Sequence, residues 1–117
     1  MTIIYGIKNC STMKKAFDKL MALGIEYEFF DYKKQPLDEA TLSGWVERAG
    51  MDKILNTKGT TWRNLSDEQK KQAKQDNDFA IKLMTNQPSM IKRPIVVSKD
   101  ELLVGFNEAE FEQLAKK

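Results

Sequence analysis

Residues Thr2–Phe30 read TIIYGIKNCSTMKKAFDKLMALGIEYEFF, and the fold follows from how this stretch divides. Thr2–Tyr5 is short, β-branched and aromatic, the composition of a strand. Met13, Ala16, Phe17, Leu20 and Met21 recur at helical spacing, with the first helical residues expected at Ser11 to Lys14. Gly24 supplies the helix stop. Ile25, Tyr27 and Phe29 then alternate with Glu26 and Glu28, which predicts a second strand. Strand, helix and strand within about thirty residues make a βαβ unit with a parallel strand pair.

Downstream the pattern turns helical. Asp38 is a candidate cap, with Leu37 and Leu42 as a hydrophobic staple, and Leu42, Trp45, Val46 and Ala49 form an apolar stripe that ends at Gly50. Met51 to Leu55 reads as a short turn, and NTKGTTWRNL, residues 56–65, has no clear period. Ser66 with Gln69 forms a capping box. The polar run KKQAKQDND, residues 70–78, reads as a helix–helix joint before Phe79, Ala80, Leu83 and Met84 resume helical spacing. Strands return with PIVVS from Pro94 and ELLVG, close enough for an antiparallel hairpin across Lys99–Asp100. Asn107 with Glu110 and Phe106 with Phe111 then mark a last capped and stapled helix running to about Ala115. The order is β-α-β, a helical block, then β-β-α. It predicts a single α/β domain over residues 1–117 with a thioredoxin-like (glutaredoxin-like) mixed β-sheet and flanking helices. Residues 1–36 and 88–117 would form the core, and residues 37–87 an inserted helical subdomain.

Composition narrows the function. A chain of 117 residues, 41% hydrophobic and 31% charged, suits one soluble domain. No apolar run approaches the ~20 residues of a membrane helix, and Met1–Gly6 runs straight into a strand, so no signal peptide and no membrane partner are expected. A net charge of +2 is too even to argue for nucleic acid. With no histidine in the chain, His-based acid–base catalysis, Cys–His dyads and His metal sites are excluded. The single cysteine, Cys10, rules out an intramolecular disulfide, argues against a metal site and suits a reducing cytoplasm. A cytoplasmic monomer is expected.

Cys10 stands between the first strand and the first helix. An ordinary thiol is only about 3% ionised at neutral pH. A helix start lowers the thiol pKa, because unpaired N–H groups and the positive dipole end favour the anion. Lys8, Asn9, Ser11 and Thr12 surround the sulfur in sequence, adding charge and donors that would also hold an anionic substrate. A buried packing role is the alternative, and these polar neighbours weigh against it. A dithiol enzyme would need a second cysteine at position 13, which is Met13, so any disulfide at Cys10 must be a mixed one. Further along, Arg93 precedes Pro94. From residues alone, a surface arginine and a trans proline opening a strand come first. A cis Pro94 that turns Arg93 toward the Cys10 loop is the alternative. In residues 56–65, Gly59 permits a turn, and Lys58 and Arg63 are anion-friendly, so this loop reads as a substrate-side wall. Trp62 reads as a core or lid anchor.

YGIKNCSTMKKA, ILNTKGTTWRNL, NQPSMIKRPIVV and LLVGFNEAEF, in that order, resemble the arsenate reductase (ArsC)/Spx/YffB family of thioredoxin-like proteins, and most of all its YffB-like branch. The resemblance covers nearly the whole chain. It implies Cys10 as nucleophile, Arg93 as the arginine before the cis-proline, and Pro94 as that proline. It implies no bound cofactor, with glutathione as co-substrate and glutaredoxin as a possible partner, acting on a small anionic or thiol substrate. Two further oxyanion-binding arginines of the reductases fall on Asn56 and near Gly105, and a histidine four residues before the cysteine falls on Gly6. Charge-assisted contacts contribute ~1.5–3 kcal/mol each, so losing two would weaken arsenate handling by orders of magnitude. The expected activity is therefore a monothiol, glutathione-dependent thiol reduction rather than arsenate reduction. The resemblance also implies an alternative: an Spx-like regulator that contacts RNA polymerase without catalysis.

Overall fold

The computed structural model describes residues 1–116. The chain forms two compact units, one made of Met1–Gln35 with the chain from Arg93 onward, the other of Pro36–Lys92. Strand β1 is Thr2–Gly6 and helix α1 is Ser11–Ala22. Gly24, at φ 73°, ends α1 in a Schellman motif: its N–H donates to the Met21 carbonyl, and the Ile25 N–H donates to the Leu20 carbonyl. That motif corrects the expected second strand. Ile25 is committed to closing the helix, so β2 is Glu28–Asp31, and Ile25 and Tyr27 pack on the core from the connecting loop.

The helical unit follows its caps. The Asp38 carboxylate accepts from the Thr41 N–H at 2.7 Å and opens α2, Glu39–Ala49. Leu37 and Leu42 are both buried, as the staple requires. After Gly50, at φ 94°, the expected turn is one helical turn, α3, Met51–Ile54. The unpatterned stretch holds another, α4, Thr60–Arg63; four residues are too few to show a period. The reciprocal Ser66–Gln69 box opens α5, Asp67–Gln75. The expected joint shrinks to Asp76, whose Oδ1 accepts from the Asp78 and Phe79 N–H groups and starts α6, Asn77–Asn86. A 3-10 turn, Pro88–Met90, leads to Ile91 and Lys92, which stay with this unit. The Asn56 N–H donates to the Met90 carbonyl at 2.7 Å, and the Lys92 N–H donates to the Ile54 carbonyl at 2.9 Å. Trp62 is buried, with Lys74 Nζ 5.9 Å from its ring centroid.

The chain then completes the sheet with β3, Ile95–Ser98, and β4, Glu101–Val104, joined through Lys99 at φ 53°. Asn107 Oδ1 accepts from the Glu110 N–H and caps α7, Glu108–Ala115. Phe106 meets Phe111 edge-on at 5.1 Å, the expected staple. The strand order is β2-β1-β3-β4, with β1 parallel to β2 and antiparallel to β3, and β3 antiparallel to β4. Phe29, Ile4, Val96 and Leu103 are consecutive cross-strand partners, so period two puts them on one face. Met13, Ala16 and Leu20 of α1 and Phe111 of α7 pack there. Full burial of each large apolar side chain contributes about 1.5–3 kcal/mol. This is the thioredoxin-like mixed sheet with flanking helices. Among the described residues no helix is long and apolar enough to cross a membrane.

Candidate functional site

Strand pairing builds the site at one end of the sheet. The C-terminal end of β1 pairs through Gly6 with Asp31 and through Tyr5 with Ile95. The Cys10 loop leaves the sheet just after Gly6, Tyr32 just after Asp31, and Arg93–Pro94 enters just before Ile95. Three segments distant in sequence therefore meet at the same end of three neighbouring strands.

Asn9 turns the loop, with φ at 61°. Asparagine tolerates this left-handed region better than most side chains. Cys10 then returns to extended backbone, φ −116° and ψ 129°, as the residue at the N-cap of α1, and its carbonyl accepts from the Lys14 N–H at 2.9 Å. Its side chain is half-buried against the core. Partial burial pushes the thiol pKa up. The N–H groups of Met13 and Thr12 push it down, and so do the charge and a side-chain hydrogen bond of Arg93; the balance lies below the ordinary thiol value. A thiolate is thus favoured by the means expected of a helix start with a guanidinium beside it.

The Arg93–Pro94 bond is cis. Pro94 is buried, and its carbonyl accepts from the Gly105 N–H at 2.8 Å, which ties the cis turn to the end of β4. A cleft of about 430 Å3 opens beside the sulfur, lined by Lys8, Asn9, Ser11, Met13 and Phe17 among others. Lys14 at its rim pairs with Asp18 at 3.7 Å along the exposed helix surface. Phe17 is fixed by Tyr27, stacked at 5.6 Å, and by Phe29, edge-on at 5.0 Å. The cleft therefore has an apolar wall and a basic, polar mouth.

The structure brings together Lys8, Asn9, Cys10, Ser11, Thr12, Arg93 and Pro94, all within the sheet-bearing unit. Lys58 and Arg63 are exposed residues of the helical unit, where the Lys58 N–H donates to Asn56 Oδ1 at 3.1 Å. Two features escaped sequence reasoning. A Cβ at Gly6 would overlap the Met13 thioether, so the glycine and the methionine three residues past Cys10 fit as a pair. Tyr32 is buried, directly after β2 at the sheet end where Arg93 enters, and only the strand pairing reveals it.

A thioredoxin-like sheet carrying one activated cysteine at the first helix start, with an arginine and a cis-proline facing it, defines the class of protein. Residues 5–114 match the ArsC family, and the chain belongs to it, an arsenate reductase-like family that also includes Spx regulators. An uncharacterized protein of Haemophilus influenzae is 41% identical over 96% of this chain and 96% of its own length. The solved structure of a protein named YffB superposes with a TM-score of 0.91 at 42% identity, covering 97% of each chain. The regulatory protein MgsR of Bacillus subtilis is 29% identical over 97% of this chain and 89% of its own length.

Proposed function

We propose that the protein is a monothiol, glutathione-dependent thiol reductase working in a reducing cytoplasm as a monomer. The observation that carries this reading is the thiol of Cys10, placed at an unblocked helix start and held below its ordinary pKa by backbone N–H groups and Arg93. The Cys10 thiolate attacks the glutathionyl sulfur of a mixed disulfide. A Cys10–glutathione disulfide forms and the substrate leaves as a thiolate, which takes a proton from water. The thiolate of a second glutathione attacks that glutathionyl sulfur, forms oxidised glutathione and releases the Cys10 thiolate. In the net exchange one mixed disulfide and one glutathione thiolate give the substrate thiolate and oxidised glutathione: the substrate sulfur is reduced, the incoming glutathione sulfur is oxidised, and no second cysteine is needed. Glutaredoxin would serve equally well in the second step. Arg93 steadies the developing thiolate, and Lys8, Asn9, Ser11 and Thr12 line the approach of an anionic thiol.

Arsenate reduction is not part of this proposal. Asn56 stands where the resemblance implies one arginine, and the position of the other falls near Gly105. Gly105 has φ 79°, and a left-handed backbone costs a non-glycine residue about 1–2 kcal/mol. The test is intact mass after incubation with oxidised glutathione. Wild type should gain one glutathione and Cys10→Ser none; an unmodified wild type, or a modified variant, overturns the mechanism.

A second reading, a regulatory binding module contacting RNA polymerase, is favoured by the likeness to MgsR. Capture of the polymerase α subunit that survives Cys10→Ser would support it over the chemistry.

A further inference from the structure

Helix α1 lays out two rows of side chains beside the reactive sulfur. Cys10, Met13 and Phe17 stand at i, i+3 and i+7, so the helical period puts them on one face. Ser11, Lys14 and Asp18 repeat that spacing one residue on. All six line the same cleft of about 430 Å3. Seven residues of helix rise about 10 Å, so the lining reaches that far along α1 from the sulfur.

Beyond the sulfur the first row is apolar, and it is held in place. Phe17 is half-buried; Tyr27 stacks on its ring at 5.6 Å and Phe29 meets it edge-on at 5.0 Å, yet it still lines the cleft. Met13 is buried, with its thioether seated where a Cβ on Gly6 would lie. The second row brings little net charge, because Lys14 Nζ pairs with Asp18 Oδ2 at 3.7 Å on the exposed helix surface. A half-exposed ring is ordinary on a protein surface by itself. This one is joined to a thiol by a continuous cleft whose volume lies in the range of small-molecule sites.

We propose that this cleft receives the leaving group: Phe17 and Met13 hold the apolar body of the thiol released when Cys10 takes the glutathionyl sulfur. The preferred substrates are then glutathione mixed disulfides of thiols with an aromatic or aliphatic body. This rests on the thiol chemistry proposed above and names the substrate class of that site. The Cys10–glutathione bond forms, the S–S bond of the substrate breaks, and the released thiolate takes a proton from water. Attacking, central and departing sulfurs lie in line, so the departing body sits a disulfide length beyond Cys10 Sγ, within the reach of the cleft.

The test compares two mixed disulfides, glutathione with benzyl mercaptan and glutathione with 2-mercaptoethanol, whose leaving thiols are of similar acidity. Intact mass against time gives the rate of the Cys10–glutathione adduct from each. Wild type should react about tenfold faster with the benzyl substrate, from partial burial of its ring. Phe17→Ala should erase that preference. Phe17→Leu, which keeps an apolar side chain on the core, should retain part of it, and it carries the test if Phe17→Ala does not fold. Equal wild-type rates with the two substrates overturn the proposal, and so does a full preference kept in either variant. A benzylthio adduct on Cys10 in place of the glutathione adduct overturns the orientation and the proposal with it. A wild type that forms no adduct from either substrate sinks the thiol chemistry itself, whereas adducts formed without preference sink only the role of the cleft.

Discussion

Helices α1 and α7 pack on the same sheet face, yet they begin in opposite ways. Asn107 closes the start of α7 with a side-chain oxygen on the Glu110 N–H, and Glu108 and Glu110 sit in its first turn. Asp38, Ser66 and Asp76 do the same for α2, α5 and α6, each with an acidic residue following. Helix α1 has Cys10 at its cap, no side-chain oxygen on its free N–H groups and no acid in its first turn. An oxygen cap contributes about 0.5–2 kcal/mol, and a first-turn acid about 0.3–1 kcal/mol. Helix α1 forgoes both. Its N–H groups and positive dipole end are left for the sulfur and, on the proposed chemistry, for an anionic partner. The contrast separates helix starts closed by a side-chain oxygen from one left open beside a thiol, the one to which the proposed chemistry assigns a role.

That contrast can be broken from either side. The largest effect is expected from Arg93→Ala, which removes the charge and the hydrogen bond beside Cys10. Arg93 favours the anion, so its loss makes the thiol hold its proton more tightly. The midpoint of thiolate absorbance against pH should move up, and reaction with oxidised glutathione at neutral pH should slow about tenfold, allowing for a half-exposed site. An unchanged midpoint would mean the helix start acts alone. Thr12→Glu gives α1 the acid that the other helices carry. The carboxylate competes for the free N–H groups and repels the thiolate, so reactivity should fall severalfold, while the helix gains about 0.3–1 kcal/mol. A melt and a thiolate titration of the same sample check both signs; unchanged reactivity would remove the helix start from the account. Asn107→Ala sharpens the comparison from the other helix. It should cost about 1 kcal/mol in a denaturant melt and leave the Cys10 rate untouched. A slowed thiol there would show that α7 supports the site as well as the core.

Legibility in the sequence followed the range of the interactions. Caps act over three or four residues, so Asp38, Ser66 with Gln69, and Asn107 announced their helices directly. The Phe106–Phe111 staple was equally plain. The start of β2 misled because Ile25 alternates like a strand residue, while its N–H is spent on closing α1. Helices α3 and α4 are single turns, too short for periodicity to register. Asp76 was hidden inside a polar run because its cap looks like any other charge. Within the site, Cys10 and its polar neighbours lie on one contiguous segment and could be read as a motif. Arg93 and Pro94 needed the resemblance, since a lone Arg-Pro pair reads as a surface arginine and a trans proline that opens a strand. Nothing in the sequence marked Tyr32, whose hydroxyl the fold buries without a hydrogen-bond partner among the described residues.

The sequence by itself determined the chemistry available: one thiol, no histidine and no second cysteine three residues on, with a helix beginning just after the sulfur. These are facts of composition and of contacts within a turn. Tertiary structure decided what stands beside that thiol. Strand β1 lies between β2 and β3, and its C-terminal end meets the end of one and the beginning of the other. Strand pairing sets that convergence through backbone hydrogen bonds between distant segments. Only the folded sheet therefore brings Tyr32 and Arg93 to the end where Cys10 begins its helix.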